Sequence, residues 1–139
     1  MEAQIISTLE HRGVRPTAMR ILVLQIFLKK PYAISLSDLE ASFDHADRIT
    51  LFRTLKTFEK HHVIHKIIDG TGVVKYGLCD KSCNCMPNDS HIHFHCTSCK
   101  KTFCFRHSSI PNLIVPKDFS SEEINIVING ICNNCNAQK

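Results

Sequence analysis

No apolar run in the sequence approaches the ~20 residues that a membrane-spanning helix requires. The opening MEAQIISTLEHRG is charged and lacks the apolar core of a signal peptide. Both absences lead us to expect a soluble, cytoplasmic chain with no membrane partner. Neither sign of charge dominates. The net charge is +4 over 139 residues, 22% of them charged and 43% apolar. That balance excludes long disordered tracts and leaves enough apolar residues for one ordinary core or two thin ones. Enzyme motifs are missing as well. There is no Walker loop, no G-x-S-x-G, no H-E-x-x-H, and no H-x-E paired with P-C-x-x-C as in zinc deaminases. We therefore expect no catalytic residues and no small-molecule substrate.

The first 78 residues also lack cysteine, and all eight cysteines fall between Cys79 and Cys135. Of the nine histidines, His91, His93, His95 and His107 share that second half. This shift in composition divides the chain into a segment 1–78, a hinge 79–90 rich in small polar residues, and a segment 91–139. Without an export signal the compartment is reducing, so Cys-x-x-Cys pairs point to metal or redox chemistry rather than to structural disulfides.

In the first segment, residues 3–11 read as a short helix. Thr17 is placed to cap a second helix, apolar at Ala18, Ile21, Leu22, Leu24 and Leu28 and ended by Pro31. Ser35 and Asp38 have capping-box spacing ahead of a third. A fourth, about Arg48 to His61, carries a buried stripe of Leu51, Leu55, Phe58 and His62. Phe52 falls off that stripe beside Arg53, Lys56 and Lys60. A basic face with one aromatic suits phosphates and base edges in a DNA groove, although Phe52 packing on a neighbouring helix would give the same pattern. VIHKII and VVKYGL, separated by Asp69-Gly70-Thr71-Gly72, form a hairpin signal. Helices followed by a hairpin is the order of a winged helix-turn-helix.

In the second segment, Cys96-x-x-Cys99 and Cys132-x-x-Cys135 are paired knuckles suited to a closed, structural tetrahedral zinc site. HIHFHC alternates strictly, so a strand there directs His91, His93 and His95 to one face, and Ile92, Phe94 and Cys96 to the other. The histidines, with Cys79, Cys83, Cys85 and Cys104 nearby, read as a second metal site, and mixed His/Cys ligation favours zinc. TFCF and EINIVINGI add β-rich runs. The fold expected is α+β: an N-terminal winged helix-turn-helix DNA-binding domain and a small C-terminal β-rich, zinc-binding domain.

Together these segments resemble the ferric uptake regulator (Fur) family of metal-responsive repressors, most closely its zinc uptake regulator (Zur) branch. The resemblance rests on GVRPTAMR, YAISLSDLE, ITLFRTLKTFEKHHVI, HIHFHCTSC and the final CNNC. It implies that Phe52 and Arg53 contact DNA, with Arg48, Thr50 and Lys56 of the same helix and Arg15 at a basic family position. It implies structural zinc at Cys96, Cys99, Cys132 and Cys135 in a dimerisation domain. It also implies a regulatory site with His91 and His93, to which Cys79 is added as a Zur-like hinge cysteine. Cys104 is the first choice for the fourth ligand, ahead of His65, Cys83, Cys85 or His95. Where iron and peroxide sensors of the family carry His or acidic ligands, this chain has Ala33, Gly77 and Cys104, and Ser90 and Ile92 replace ligands of a further site.

The function expected is a homodimeric, zinc-dependent repressor of metal-uptake or homeostasis genes that binds a near-palindromic double-stranded operator. Its cofactors are one structural zinc ion per chain and a second, regulatory divalent metal, zinc by preference. The alternatives are an iron-, redox- or peroxide-sensing repressor of the same family, and a zinc-ribbon adaptor or thiol enzyme.

Overall fold

The computed structural model describes residues 2–79, 92–105, 114–122 and 124–137. The chain opens with α1 (Glu2–His11) and α2 (Ala18–Lys29), then a two-residue strand β1 (Ile34–Ser35), α3 (Leu36–Ala41) and α4 (Arg48–Lys60). The hairpin of β2 (Ile64–Ile67) and β3 (Lys75–Leu78) follows as the wing. The second half contains β4 (Ile92–Cys96), β5 (Thr102–Phe105), β6 (Ile126–Gly130) and the short α5 (Asn133–Ala137). Two three-stranded sheets result, ordered β1-β3-β2 and β5-β4-β6.

Side-chain caps start the helices where the sequence places them. Thr17 Oγ1 accepts from the Arg20 N–H at 3.3 Å ahead of α2. Ser35 and Asp38 complete a reciprocal box ahead of α3, at 3.1 and 3.0 Å, which satisfies two otherwise orphaned donors. Ser35→Ala is expected to destabilise the protein by about 1 kcal/mol, read as a lower urea midpoint at an unchanged slope.

Two local expectations are corrected. Helix α2 buries Val23, Leu24 and Phe27 and leaves Leu22 and Leu28 exposed. Its residues 21–28 are apolar nearly all round, so the sequence has no single stripe and packing on α1 and α4 chooses the face. His62 lies beyond α4 in the left-handed region (φ 61°), and Thr54 joins Leu51, Leu55 and Phe58 on the buried face instead. Ile34 and Ser35 form an element that the sequence reading did not place. They pair with Tyr76 and Lys75 as a third strand of the wing sheet.

The main core gathers Ile5, Leu9, Leu24, Leu51, Leu55 and Phe58 from the helices, closed by Ile64 and Tyr76 of the wing. Among the described residues, the second half adds only Ile92, Cys96 and Cys132 to the buried apolar set. So small a core does not hold a sheet by itself, and domains of this size are commonly stapled by a metal. The halves touch directly: the Ala33 N–H donates to the Thr102 carbonyl at 2.7 Å. Of the hinge expected over 79–90, only Cys79 is described. Cys83, Cys85 and His91 lie outside the described residues.

Candidate metal centres and nucleic-acid interface

Cys96 ends β4, Cys99 follows in the turn, Cys132 precedes α5, and Cys135 lies on it. The turn closes through the Lys100 N–H on the Cys96 carbonyl at 2.9 Å, and β6 is held to it by the Thr97 N–H on the Gly130 carbonyl at 2.8 Å. Space is tight at Gly130. A Cβ there would sit 3.1 Å from the Phe94 ring on the adjoining strand. All four sulfurs lie within 4.8 Å of one another. Cys96 and Cys135 are 3.7 Å apart, and Cys99 and Cys132 3.8 Å. Four sulfurs about 2.3 Å from a tetrahedral ion stand roughly 3.8 Å from each other, so the donor set fits zinc in both chemistry and spacing. The backbone N–H groups of Cys99 and Cys132 both point at Cys96 Sγ, at 3.4 Å. Led by the Cys99 N–H, these bonds favour the thiolate and pull the Cys96 thiol down to about 5.

The second cluster forms where the wing meets the second sheet. His93 and Cys104 are direct partners on β4 and β5. His65 reaches them from β2, where it stands opposite Gly77 of β3. A Cβ at Gly77 would meet Ile67 Cδ1 at 3.0 Å and reach the His65 ring only at ordinary contact, 3.5 Å. Ligand atoms of His65, His93 and Cys104 lie within 4.8 Å of one another. The two imidazoles stack with centroids 5.9 Å apart, and Cys79 Sγ lies 3.6 Å from His65 Nδ1.

Thus the structure groups Cys104, His93 and His65, with Cys79 alongside. His65, a reserve ligand on sequence grounds, stands at the centre of the cluster. His95, another reserve, is not in the group. Its Nδ1 contacts Thr102 Oγ1 at 3.0 Å.

The third feature is the solvent face of α4. Asp47 caps this helix, its carboxylate accepting from the Ile49 N–H at 3.4 Å and from the Thr50 hydroxyl at 3.2 Å. Ile49, Phe52, Arg53 and Lys56 recur at helical spacing and are exposed, Phe52 by 44%. Lys56 Nζ sits 5.4 Å from the Phe52 ring centroid. Phe52 therefore does not pack into a neighbouring helix, and Ile49 is a member of this face that the sequence reading missed. Arg15, Arg20, Thr50 and Arg53 line a groove between α2 and α4. Two cations of the expected set are already paired, Arg48 with Glu40 at 3.1 Å and Lys56 with Glu59 at 3.4 Å.

Residues 11–129 match the model of the Ferric uptake regulator family. The chain belongs to that family. Like other Fur-family proteins it is a metal-responsive transcription regulator, not an enzyme.

Solved structures agree on the fold. A zinc uptake regulator complexed with zinc and DNA superposes with a TM-score of 0.65 at 22% identity, over 99% of this chain and 93% of that one. A zinc-bound manganese uptake regulator gives 0.62 at 16%, over 92% and 98%. The Helicobacter pylori ferric uptake regulator, described with three functional metal-binding sites, gives 0.61 at 14%, over 98% and 94%. No curated protein sequence matches significantly. A winged helix followed by a small β-rich second domain is thus the architecture of this Fur-family chain. Among the described residues, no helix is long and apolar enough to cross a membrane.

One polar cluster in this regulator went unread in the sequence. Asp69, seen there only as a turn residue, is buried between the wing and β5. Its Oδ2 accepts from Lys75 Nζ at 2.7 Å and from the Thr102 hydroxyl at 2.6 Å. Its Oδ1 accepts from the Thr71 N–H at 3.1 Å and the Thr71 hydroxyl at 2.6 Å. Burial alone pushes this carboxyl up, but the bonds from Lys75, Thr102 and Thr71 outweigh it and hold the group well below the usual carboxylate range. The available signal was Asp69 and Lys75 flanking one hairpin turn, which is common in exposed turns and says nothing about burial.

Proposed function

We propose that this protein is a homodimeric, zinc-responsive repressor that binds a near-palindromic operator through α4. The observation that carries the reading is the placement of His65, His93 and Cys104 across the junction of wing and second sheet, with Cys79 beside them. The grouped donors are imidazole and thiol, with no carboxylate among them, a set that suits zinc better than iron or manganese. Zinc held there supplies a cross-link between the DNA-binding half and the dimerisation half. His65 fixes the wing end of that link, and His93 and Cys104 fix the sheet end. Occupancy of these residues shifts the population toward the arrangement whose recognition helices match the operator, by as much as the two arrangements differ in metal affinity.

The dimer reading is supported by the other face of the second sheet. Strand alternation directs Phe94, Phe103, Phe105, Ile126 and Ile128 away from the wing. Phe105 and Ile128 are partly exposed, and Phe94 stacks on Phe105 at 5.7 Å. A second copy covering this apolar face through a two-fold axis places two winged helices for two half-sites.

The test is metal per chain before and after mild chelation, with DNA binding measured in parallel. Two zinc ions per chain falling to one, with loss of binding to a duplex selected from a random pool, is the expected result. One zinc ion that resists chelation, with DNA binding unchanged, would refute a zinc-sensing role for the His65 cluster.

The DNA face has its own test. Arg53→Ala is expected to weaken binding by about 1–3 kcal/mol, seen as reduced fluorescence anisotropy of the selected duplex. Arg48→Ala is expected to cost less, because Glu40 already engages that guanidinium. Equal losses for the two variants would contradict this assignment of roles.

A further inference from the structure

Two ladder rungs of the second sheet face the wing. The rung His93–Cys104 faces His65, and the rung His95–Thr102, two residues further on, faces Asp69 and Lys75. Residues two apart share one side of a strand, so the same surface carries both contacts. The first is the cluster assigned above to the regulatory metal. The second needs no metal, because its donors and acceptors are matched within the protein.

The matching can be followed atom by atom. The hydroxyl of Thr102 has one proton, and it goes to Asp69 Oδ2 at 2.6 Å. Its lone pairs then accept from Lys75 Nζ at 3.1 Å and from His95 Nδ1 at 3.0 Å. This places the His95 proton on Nδ1 and uses the full capacity of the hydroxyl. Thr102 and the Asp69 side chain are both 0% exposed, and the Lys75 side chain only 12%. A buried charged network is seldom the most stabilising way to fill an interface, but its directional bonds select one geometry over neighbouring ones. Here the geometry selected is the seating of the wing on the metal-bearing sheet.

We propose that Asp69 is a positioning residue, a metal-independent latch that fastens the wing to Thr102 of β5 and so sets the DNA affinity of the metal-free protein. The latch ties the same two bodies, across the same faces, as the metal cluster, so it favours the same arrangement. Apparent affinity falls with the fraction of protein in the competent arrangement. Without the latch that fraction drops in metal-free protein, whereas zinc at the neighbouring rung restores most of it. The inference rests on the zinc-responsive reading above for its metal-bound arm only.

The test uses the full chain as Asp69→Asn, Thr102→Val and Thr102→Ser, with the duplex selected by the wild-type protein as probe. Anisotropy titrations are run with chelator and with saturating zinc, beside thermal melts. Asp69→Asn strands Lys75 and is the more disruptive change. Thr102→Val keeps the shape and leaves the Asp69–Lys75 pair within the wing. Both are expected to weaken metal-free binding about tenfold and zinc-saturated binding by no more than about threefold, which widens the ratio between the two. Thr102→Ser is expected to restore the wild-type ratio, as loss of packing alone would not. Equal losses with and without zinc, or tighter metal-free binding in Thr102→Val, would overturn the latch. A wild-type protein indifferent to zinc would sink the zinc-responsive reading instead. The latch would then stand or fall on whether Thr102→Val weakens metal-free binding.

Discussion

Cys132→Ser is expected to unfold the second half of the protein while leaving the first half folded. The reason lies in how unevenly the apolar core is distributed. Ile5, Leu9, Leu24, Leu51 and Phe58 form a continuous core for the helices and wing without help from residues beyond the wing. The second half has few buried apolar side chains among its described residues, and two of them are the thiol-bearing Cys96 and Cys132 themselves. Structural zinc contributes on the order of 10–16 kcal/mol in model systems, a magnitude comparable to the whole stability of a typical domain, about 5–15 kcal/mol. Removing one of four sulfurs spaced 3.7 and 3.8 Å apart in pairs leaves a ligand set that no longer closes. The expected observations are one zinc ion fewer per chain, a monomer by sedimentation, and the loss of one of two thermal transitions with most of the helical circular dichroism retained. Cys104→Ser is the control, because that thiol belongs to the other cluster. It is expected to keep the dimer and the structural metal. A Cys132→Ser protein that remains dimeric with its zinc complement intact would show that the four-cysteine cluster is not the staple.

His65→Ala is expected to remove the response to metal without unfolding either half. His65 is the wing's contribution to the group it forms with His93 and Cys104. Losing it leaves the sheet side of the site attached to nothing on the DNA-binding half. Coupling of 1.4 kcal/mol per site corresponds to tenfold in DNA affinity, and two sites in a dimer compound to about a hundredfold. That difference between zinc-saturated and chelated protein is expected to collapse to about one in His65→Ala, and in His93→Ala as well. Metal analysis is expected to show the structural ion retained in both variants. Anisotropy titrations under buffered free zinc make the measurement. An undiminished zinc response in His65→Ala would return the assignment to His91, the ligand that the family resemblance favours.

These two variants mark how far the sequence could be read. The knuckles were legible because Cys-x-x-Cys is a local pattern. Two thiolates at that spacing suit one tetrahedral ion. The exposed basic face of α4 was legible for a similar reason. Phe52, Arg53 and Lys56 fall on one side of a helix by arithmetic, and their exposure follows once Leu51, Leu55 and Phe58 are buried. The helix starts at Thr17 and Ser35 were written in hydroxyl and carboxylate spacing.

What could not be read is whatever depends on two distant segments meeting. His65 had no local mark to distinguish it from His61 or His62. Only the pairing of β2 with β3 opposite Gly77, and the docking of that hairpin on β4 and β5, brings it to His93. The buried face of α2 was undetermined because the helix is apolar nearly all round. Strand β1 is too short to carry a period. β6 pairs with β4 in parallel, a direction that no pattern within a strand encodes.

The family, the order of helices and wing, the two Cys-x-x-Cys pairs and the basic helix face were written in the sequence, because each rests on spacings between near neighbours, whereas the meeting of the two pairs at one site belongs to the fold. Only the tertiary structure decided which histidine joins His93 and Cys104, and that Asp69, a turn residue on paper, becomes a buried carboxylate bridging the two halves. The physical reason is one of range. Spacing along the chain constrains neighbours strongly, whereas contacts between remote segments are set by how whole surfaces pack, and that packing is a property of the complete fold.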